Sequence, residues 1–492
     1  MKNAIIVVAV YFCSLLVLAQ DRLPQDYLKS DFHKGRRDAF RQQMPKNSVA
    51  VLFANPIRNR SNDVDFVYHQ DPNFYYLTGY KEPHAVLVIF SENQSNAEGE
   101  LYDEILYVQE RNAKYEQWTG YRLGVEGAKQ KLGFKVVFNG KEFLNSDIDF
   151  AKFDAVMYLD FFDDYRNTRS GADLFDLIQA FKTQIKLTEE YRIKNENDQI
   201  EESKDILVEA ERIKTDTQTL KTILATLRQT KTPEEIVLLT KAIRISAMGQ
   251  REIMKAMHSG MSEAEIQGVH EYVYKTYGSE YEGYPSIVGS GSNGCVLHYI
   301  QNIKMTVEDE LVLMDLGAEY HGYTADVTRT IPADGTFSKE QKLIYDIVLK
   351  AQEAGIAAAI VGNEFGASDH IARRIVYDGL IALGIAKSRE EASQYFPHGT
   401  SHHLGLDVHD PSMRGNLEPN MIITVEPGIY IPEGSDCDEK WYGIAVRIED
   451  DILITENGPV NLSAEAPRTT EAIEALMKEK SVLNNLKLPK LD

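Results

Sequence analysis

Apolar residues fall into short unbroken runs at some places in the chain and into helical spacing at others. Ser48-Val49-Ala50-Val51-Leu52-Phe53, Ala85-Val86-Leu87-Val88-Ile89-Phe90, Ile105-Leu106-Tyr107-Val108 and Val156-Met157-Tyr158-Leu159 have the length and composition of buried strands. With helix-like segments between them, they predict one mixed α/β unit over residues 20–182. Inside it, the aromatic block Asn73-Phe74-Tyr75-Tyr76-Leu77-Thr78-Gly79-Tyr80 is expected at the core and a strand edge. Residues 183–231 are of another kind, highly charged and free of glycine and proline up to Thr230. Ile193, Ile200, Leu207, Ile213, Leu220 and Leu227 recur there at seven-residue steps with one of six, which predicts a long helical linker with a narrow apolar stripe. Such a helix either docks on one domain or makes a coiled-coil-like contact between subunits.

A second unit opens at Thr232-Pro233-Glu234-Glu235, where an N-cap threonine, a first-turn proline and first-turn acids mark a helix start. It is expected to span residues 232–466. Helices run to about Tyr277, and strands follow at 286–291, 311–317 and 323–330. Two helices near 338–361 and 366–384 precede strands at 422–430 and 445–451. Residues 467–492 are expected to form a C-terminal helix and tail.

The beginning of the chain reads differently. Met1-Lys2-Asn3 precedes an apolar run from Ala4 to Leu18, and Val17-Leu18-Ala19 suits signal peptidase. The expectation is a signal peptide over residues 1–19 and an exported protein, periplasmic or secreted, with no stable membrane insertion after cleavage. An uncleaved anchor is the alternative. Length allows two large domains or about three ordinary ones. The net charge of −22 argues against a duplex nucleic-acid partner, which requires a basic face. Of three cysteines, only Cys295 and Cys437 would remain after processing, so this is no disulfide scaffold.

Candidate chemistry comes from two features together. Pro397–Asp410 holds four of the twelve histidines, with His402 four residues after His398 and seven before His409. Leu404, Leu406 and Val408 alternate with Gly405 and Asp407, which predicts a strand. The second feature is a set of acids among apolar neighbours, Asp315, Asp326, Glu426 and Glu449. An acid on a buried strand is costly unless paired, hydrogen-bonded or bound to metal. Asp315 and Asp326 flank the turn Glu319-Tyr320-His321-Gly322, a spacing that suits a hairpin bringing both carboxylates together. Such close carboxylates require a cation. Four oxygen donors and one imidazole suit two divalent ions that activate water and polarise a carbonyl. The oxygen-rich set favours Mn2+, with Co2+, Zn2+ or Fe2+ as alternatives. A calcium-type structural site would explain the acids but not His298, His398, His402 and His409.

These residues resemble a known family. From Thr232 to Ala466 the chain is similar to the pita-bread metallopeptidases, which include aminopeptidase P, prolidase, methionine aminopeptidase and creatinase. The resemblance rests on Gly289–Tyr299, Met314-Asp315-Leu316-Gly317, Asp326–Thr330, His398-Gly399-Thr400-Ser401-His402, Thr424–Gly428 and Val446–Asp450. Asp71–Pro83 resembles the family's amino-terminal domain. The implied fold class is α/β (α+β), an N-terminal domain of the creatinase and aminopeptidase P type followed by a pita-bread catalytic domain. The resemblance implies that Asp315 chelates one ion, that Asp326 and Glu449 bridge two, and that His402 and Glu426 hold the other. Glu426 would also shuttle protons. His298 and His409 would contact substrate, with His398 and Arg447 as further site residues and Tyr430 nearby. The implied substrates are peptides with proline in second position, cut before the proline, and the implied assembly is a homodimer or homotetramer. Ser401 and Glu426–Glu433 look more like aminopeptidase P than prolidase, which splits dipeptides. Pro411-Ser412 departs from many relatives, so the substrate rim is expected to differ. The remaining alternative is a pita-bread binding protein without catalysis, although such proteins have lost metal ligands.

Overall fold

The computed structural model describes residues 26–161, 166, 171–187 and 213–485. The expected signal peptide over 1–19 and the stripe positions Ile193, Ile200 and Leu207 lie outside the described residues. Two compact units are formed, Leu28–Leu227 and Arg228–Asp492, the latter joined by Asp26 and Tyr27. Among the described residues, no helix is long and apolar enough to cross a membrane.

The first unit is built on a six-stranded sheet. Its strands are β1 (Ser48–Phe53), β2 (Val86–Ser95), β3 (Leu101–Val108), β4 (Val137–Asn139), β5 (Ala155–Tyr158) and β6 (Thr215–Asp216), in the spatial order β4-β3-β2-β1-β5-β6. Strand β1 runs antiparallel to β2 with Val51 opposite Val88, and parallel to β5 with Val51 opposite Tyr158. Helices α1 (Ser30–Gln43), α2 (Pro72–Thr78), α3 (Leu174–Gln184) and α4 (Thr219–Gln229) accompany it. The aromatic block is a helix, α2, and not a strand edge. The Asp71 carboxylate caps it by accepting the Phe74 N–H at 2.7 Å, Pro72 starts it, and Gly79 ends it in a left-handed conformation. These end signals outweigh the strand propensity of three aromatic residues in a row. The expected single helix over 183–231 is also corrected within the described residues. Helix α3 stops at Gln184, and β6 pairs with β5 before α4 begins. The seven-residue stripe runs across a strand: Ile213, half-buried, packs against the sheet's core and not on a helix.

In the second unit, α5 (Pro233–Ala256) begins with a reciprocal cap. Thr232 accepts the Glu235 N–H, and Glu235 accepts the Thr232 N–H at 2.9 Å. Loss of such a cap costs about 1 kcal/mol. Helix α5 packs on α6 (Glu263–Thr276), and α7 (Lys339–Ala358) packs on α8 (Ala367–Ala382). Strands β7 (Ile287–Ser290), β8 (Leu311–Asp315), β9 (Ala318–Tyr320), β10 (Tyr323–Thr324) and β11 (Thr328–Pro332) come between the helix pairs in sequence. Strands β12 (Ile422–Val425), β13 (Gly428–Ile431), β14 (Ile444–Arg447), β15 (Asp450–Thr455) and β16 (Gly458–Asn461) follow the second pair, and α9 (Thr470–Met477) comes after them. The core between helices and sheets includes Val288, Met314, Ile331, Val348, Val376 and Val446.

Four departures from the expected strands position the site, and two of them are alike: the runs at 422–430 and 445–451, each expected as one strand, break at Glu426-Pro427 and at Ile448-Glu449. Residues expected as one strand over 323–330 form β10 and β11, with Ala325, Asp326 and Val327 as a break. Residues 404–408 form a loop, not a strand, touching β12 only through a bridge from His403 to Ile423. The loop folds on itself: the Gly405 N–H donates to the Asp407 carbonyl, and the Asp407 N–H to the Asp410 carboxylate. The hairpin between Asp315 and Asp326 is present, but tighter than expected. His321 and Gly322 (φ 53° and 89°) make a two-residue turn between Tyr320 and Tyr323.

Candidate active site

All four acids sit where a strand stops. Asp315 is the last residue of β8, Asp326 lies in the break before β11, Glu426 lies between β12 and β13, and Glu449 between β14 and β15. At such points the side chain can leave the sheet face while its neighbours stay in the core. The three histidines and Arg447 singled out with them line the same cavity of about 600 Å³, as does His402. Tyr284, Pro285, Ile287, Leu297, Ile300 and Val408 supply its apolar lining.

Asp326, His402 and Glu449 each offer a ligand atom within 4.8 Å of the others. His402 Nε2 stands 3.4 Å from Asp326 Oδ2 and 3.6 Å from Glu426 Oε1. Asp315 joins the group through Tyr284, whose hydroxyl lies 2.5 Å from Asp315 Oδ1 and 2.6 Å from Asp326 Oδ1. Arg447 is buried and donates to Asp315 (2.5 Å), to the Tyr430 hydroxyl (3.0 Å) and to Thr328 (3.1 Å). The Thr328 hydroxyl in turn donates to Glu449 at 2.6 Å. His398 Nε2 lies 2.7 Å from the Tyr430 hydroxyl, and its Nδ1 lies 2.8 Å from the Gly399 carbonyl. With Nδ1–H donating to that carbonyl, Nε2 accepts from Tyr430. Burial, then the Arg447 charge, pushes His398 down to about 4, which agrees with a neutral ring. His409 is exposed, and its ring meets that of His402 edge-on with centroids 4.3 Å apart.

The electrostatics test whether a metal suits these donors. Burial and the charge of Asp326 push Asp315 above the carboxylate range. Burial raises Glu426 to about 7, with Asp326 adding to the shift against the pull of His402. Glu449 is driven well up by burial and by Asp326, Glu426 and Asp315. His402 is burdened by burial, yet its hydrogen bond to Asp326 and the nearby negative charges raise it to about 9. Four carboxylates thus face two side-chain cations, His402 and Arg447, and the space draws positive charge. An oxygen-rich set with one imidazole fits divalent metal.

Sequence comparison decides the family. The family model "Metallopeptidase family M24" matches residues 237–456, and "Aminopeptidase P, N-terminal domain" matches residues 33–149. The Xaa-Pro aminopeptidase of Escherichia coli is 34% identical over 456 residues, 90% of this chain and 96% of its own. The chain belongs to the aminopeptidase P family of M24 metallopeptidases. Another member, the Xaa-Pro aminopeptidase of Haemophilus influenzae, is 33% identical over 91% of this chain and 97% of its own. The solved structure of E. coli aminopeptidase P with the inhibitor Pro-Leu superposes with a TM-score of 0.78 at 33% identity, covering 92% of this chain and 98% of that one. Membership establishes the expected fold, an aminopeptidase P N-terminal domain and a pita-bread domain, and makes the protein a metallopeptidase with a divalent-metal site.

Sequence reasoning missed several residues that this family member places at the site. Tyr284 bridges two carboxylates from 31 and 42 residues away, and Thr328 supports Glu449 from 121 residues away. Asp451 accepts the Asp326 backbone N–H at 3.1 Å. Asp451 carried a signal, being a buried acid directly after Glu449 and Asp450. Tyr284 carried none, since a tyrosine between Glu282-Gly283 and Pro285-Ser286 reads as part of a turn.

Proposed function

We propose that the protein is a two-metal aminopeptidase that releases the N-terminal residue from peptides with proline in second position. The observation that carries this reading is the convergence of Asp315, Asp326, His402, Glu426 and Glu449 with His298, His398 and His409 on one cavity. The names of its relatives, Xaa-Pro aminopeptidases, support the substrate class. Asp326 and Glu449 would be shared by two ions. Asp315 on one side, and His402 with Glu426 on the other, would complete the shells. Mn2+ suits this donor set best. When bound, the cations supply activation of water and polarisation of the scissile carbonyl.

The remaining steps belong to side chains. Glu426 lines the cavity beside His402 and is placed to take a proton from the attacking water and return it to the leaving proline nitrogen. His298 and His409 line the cavity and would donate hydrogen bonds to the carbonyl oxygen as it gains charge. Arg447 holds Asp315 and Tyr430 in place, and Tyr430 holds His398. The apolar wall of Pro285, Ile287 and Leu297 suits a proline ring and excludes water from it.

The deciding experiment compares Xaa-Pro dipeptides with Xaa-Pro-Xaa tripeptides under Mn2+, Co2+, Zn2+ and Fe2+. Faster turnover of the tripeptide with Mn2+ supports the proposal. Preference for the dipeptide would make the protein a prolidase, and inertness on both a binding protein. The apolar start of the chain supports export, to the periplasm or beyond, and cleavage after Ala19 predicts a mature protein beginning at Gln20. A homodimer or homotetramer is the assembly that light scattering should find.

A further inference from the structure

The loop that presents His409 is held from below by a buried ion network outside the metal-binding set. Asp410 is buried and directly follows His409. Arg228, also buried, donates to Asp410 Oδ1 at 2.5 Å and to Asp407 Oδ2 at 2.8 Å. Lys231 donates to Asp410 Oδ2 at 2.9 Å and to the Arg228 carbonyl. Gln229 accepts the Met413 N–H at 2.9 Å, so neighbouring residues of one short segment grip the chain at both Asp407–Asp410 and Met413. The Asp410 N–H donates to the His403 carbonyl, which closes the loop on itself. Gly405 makes room for the clamp: a Cβ there would stand 2.6 Å from the Asp410 carboxylate.

Burial of these charges is expensive unless each is paired, and pairing fixes their geometry. A packed core of apolar residues would close the same loop without that cost. What the ions add is a fixed backbone position for residues 407–410. His409 is the one exposed histidine of that stretch, and its ring rests edge-on against His402.

We propose that Asp410, clamped by Arg228 and Lys231, is a positioning residue for the peptidase reaction, setting the His409 imidazole over the metal-binding histidine. This rests on the reading of His409 as a substrate-contacting group in Xaa-Pro hydrolysis. The test uses the full chain loaded with Mn2+, with variants Asp410→Asn, Arg228→Ala and Arg228→Lys. For Asp410→Asn, kcat on an Xaa-Pro tripeptide is expected to fall about tenfold or more, with KM changed less than about threefold and metal content unchanged. Arg228→Ala should behave alike, and Arg228→Lys should recover most of the loss. If Asp410→Asn does not fold, the two Arg228 variants decide by the same criteria. A folded, metal-loaded Asp410→Asn with kcat within about twofold of wild type overturns the proposal, as does a kcat loss proportional to lost metal. The His409 imidazole NMR signal, read on Zn2+-loaded protein because Mn2+ broadens nearby signals beyond detection and assigned by its absence in His409→Gln, should shift in Asp410→Asn without any substrate, while that of His398 stays in place. An unmoved His409 signal also overturns the proposal. That readout stands apart from wild-type inertness on Xaa-Pro peptides, which would fell the functional reading alone.

Discussion

Asp326 is held at three points. Its Oδ1 meets the Tyr284 hydroxyl, its Oδ2 faces His402, and its backbone N–H is fixed by Asp451. Glu449 is steadied by Thr328. Asp326→Asn or Glu449→Gln therefore preserves shape and removes one negative charge from the centre of the donor set. Either change should lower kcat/KM by at least about a hundredfold; a near-wild-type rate at full metal occupancy would refute the bridging assignment. His298 behaves differently because it lines the cavity apart from the cluster of Asp326, His402 and Glu449. His298→Ala should cut kcat far more than it cuts bound metal, measured side by side on the same preparation. Loss of both in equal proportion would move His298 into the ligand set. The four acids stood out in the sequence because charge among apolar neighbours is conspicuous and the histidines of 398–409 because they cluster, whereas His298 and Arg447 were singled out through the family resemblance. Tyr284 and Thr328 were not, since their role lies in a hydrogen bond to a distant part of the chain.

At the scale of elements, hydrophobic runs located the strands, but the ends of strands carried the chemistry. The run at 323–330 reads as unbroken because Ala325 and Val327 are as apolar as any strand residue, and only the fold puts a break at Asp326. The helix pair α5 and α6 shows another limit. Gly249 of α5 admits the His270 ring so closely that a Cβ would lie 2.3 Å from it. His270 is fully buried in α6, and among the described residues neither ring nitrogen has a hydrogen-bond partner. Burial pushes it from 6.5 down to about 4. The unfolded chain therefore binds a proton that the native one refuses, and stability is lost as pH falls from about 6.5 to about 4. The full loss approaches about 3 kcal/mol. Denaturant unfolding of wild type and His270→Leu between pH 4 and pH 7.5 should diverge on acidification, with the variant the less sensitive. Parallel curves would show that His270 is protonated in the folded protein.

For the whole molecule, the two-part organisation was legible from the helix start at Thr232 and the change in composition before it. The path between the parts was not, because a charged stretch with regular apolar spacing describes a strand followed by a helix as well as one long helix. The same scale governs the response to metal removal. Glu426, Asp315 and Glu449 are all raised, chiefly by burial, with mutual repulsion adding to it. A carboxyl raised in the folded state keeps a proton that the unfolded chain has released. Its contribution to stability is complete below the ordinary value of 4.5 and, for Glu426, is lost as pH rises through about 7. The chelated protein should therefore weaken between pH 5 and pH 8. Divalent ions reverse this by binding the deprotonated groups, adding about 2.7 kcal/mol at a hundredfold excess over Kd. Melting curves of chelated and Mn2+-loaded protein should lie close together at pH 5 and separate steadily toward pH 8. A gap that is constant or shrinks with rising pH would mean that the carboxylates are not the groups that hold the metal, because proton release would then be unlinked from its binding.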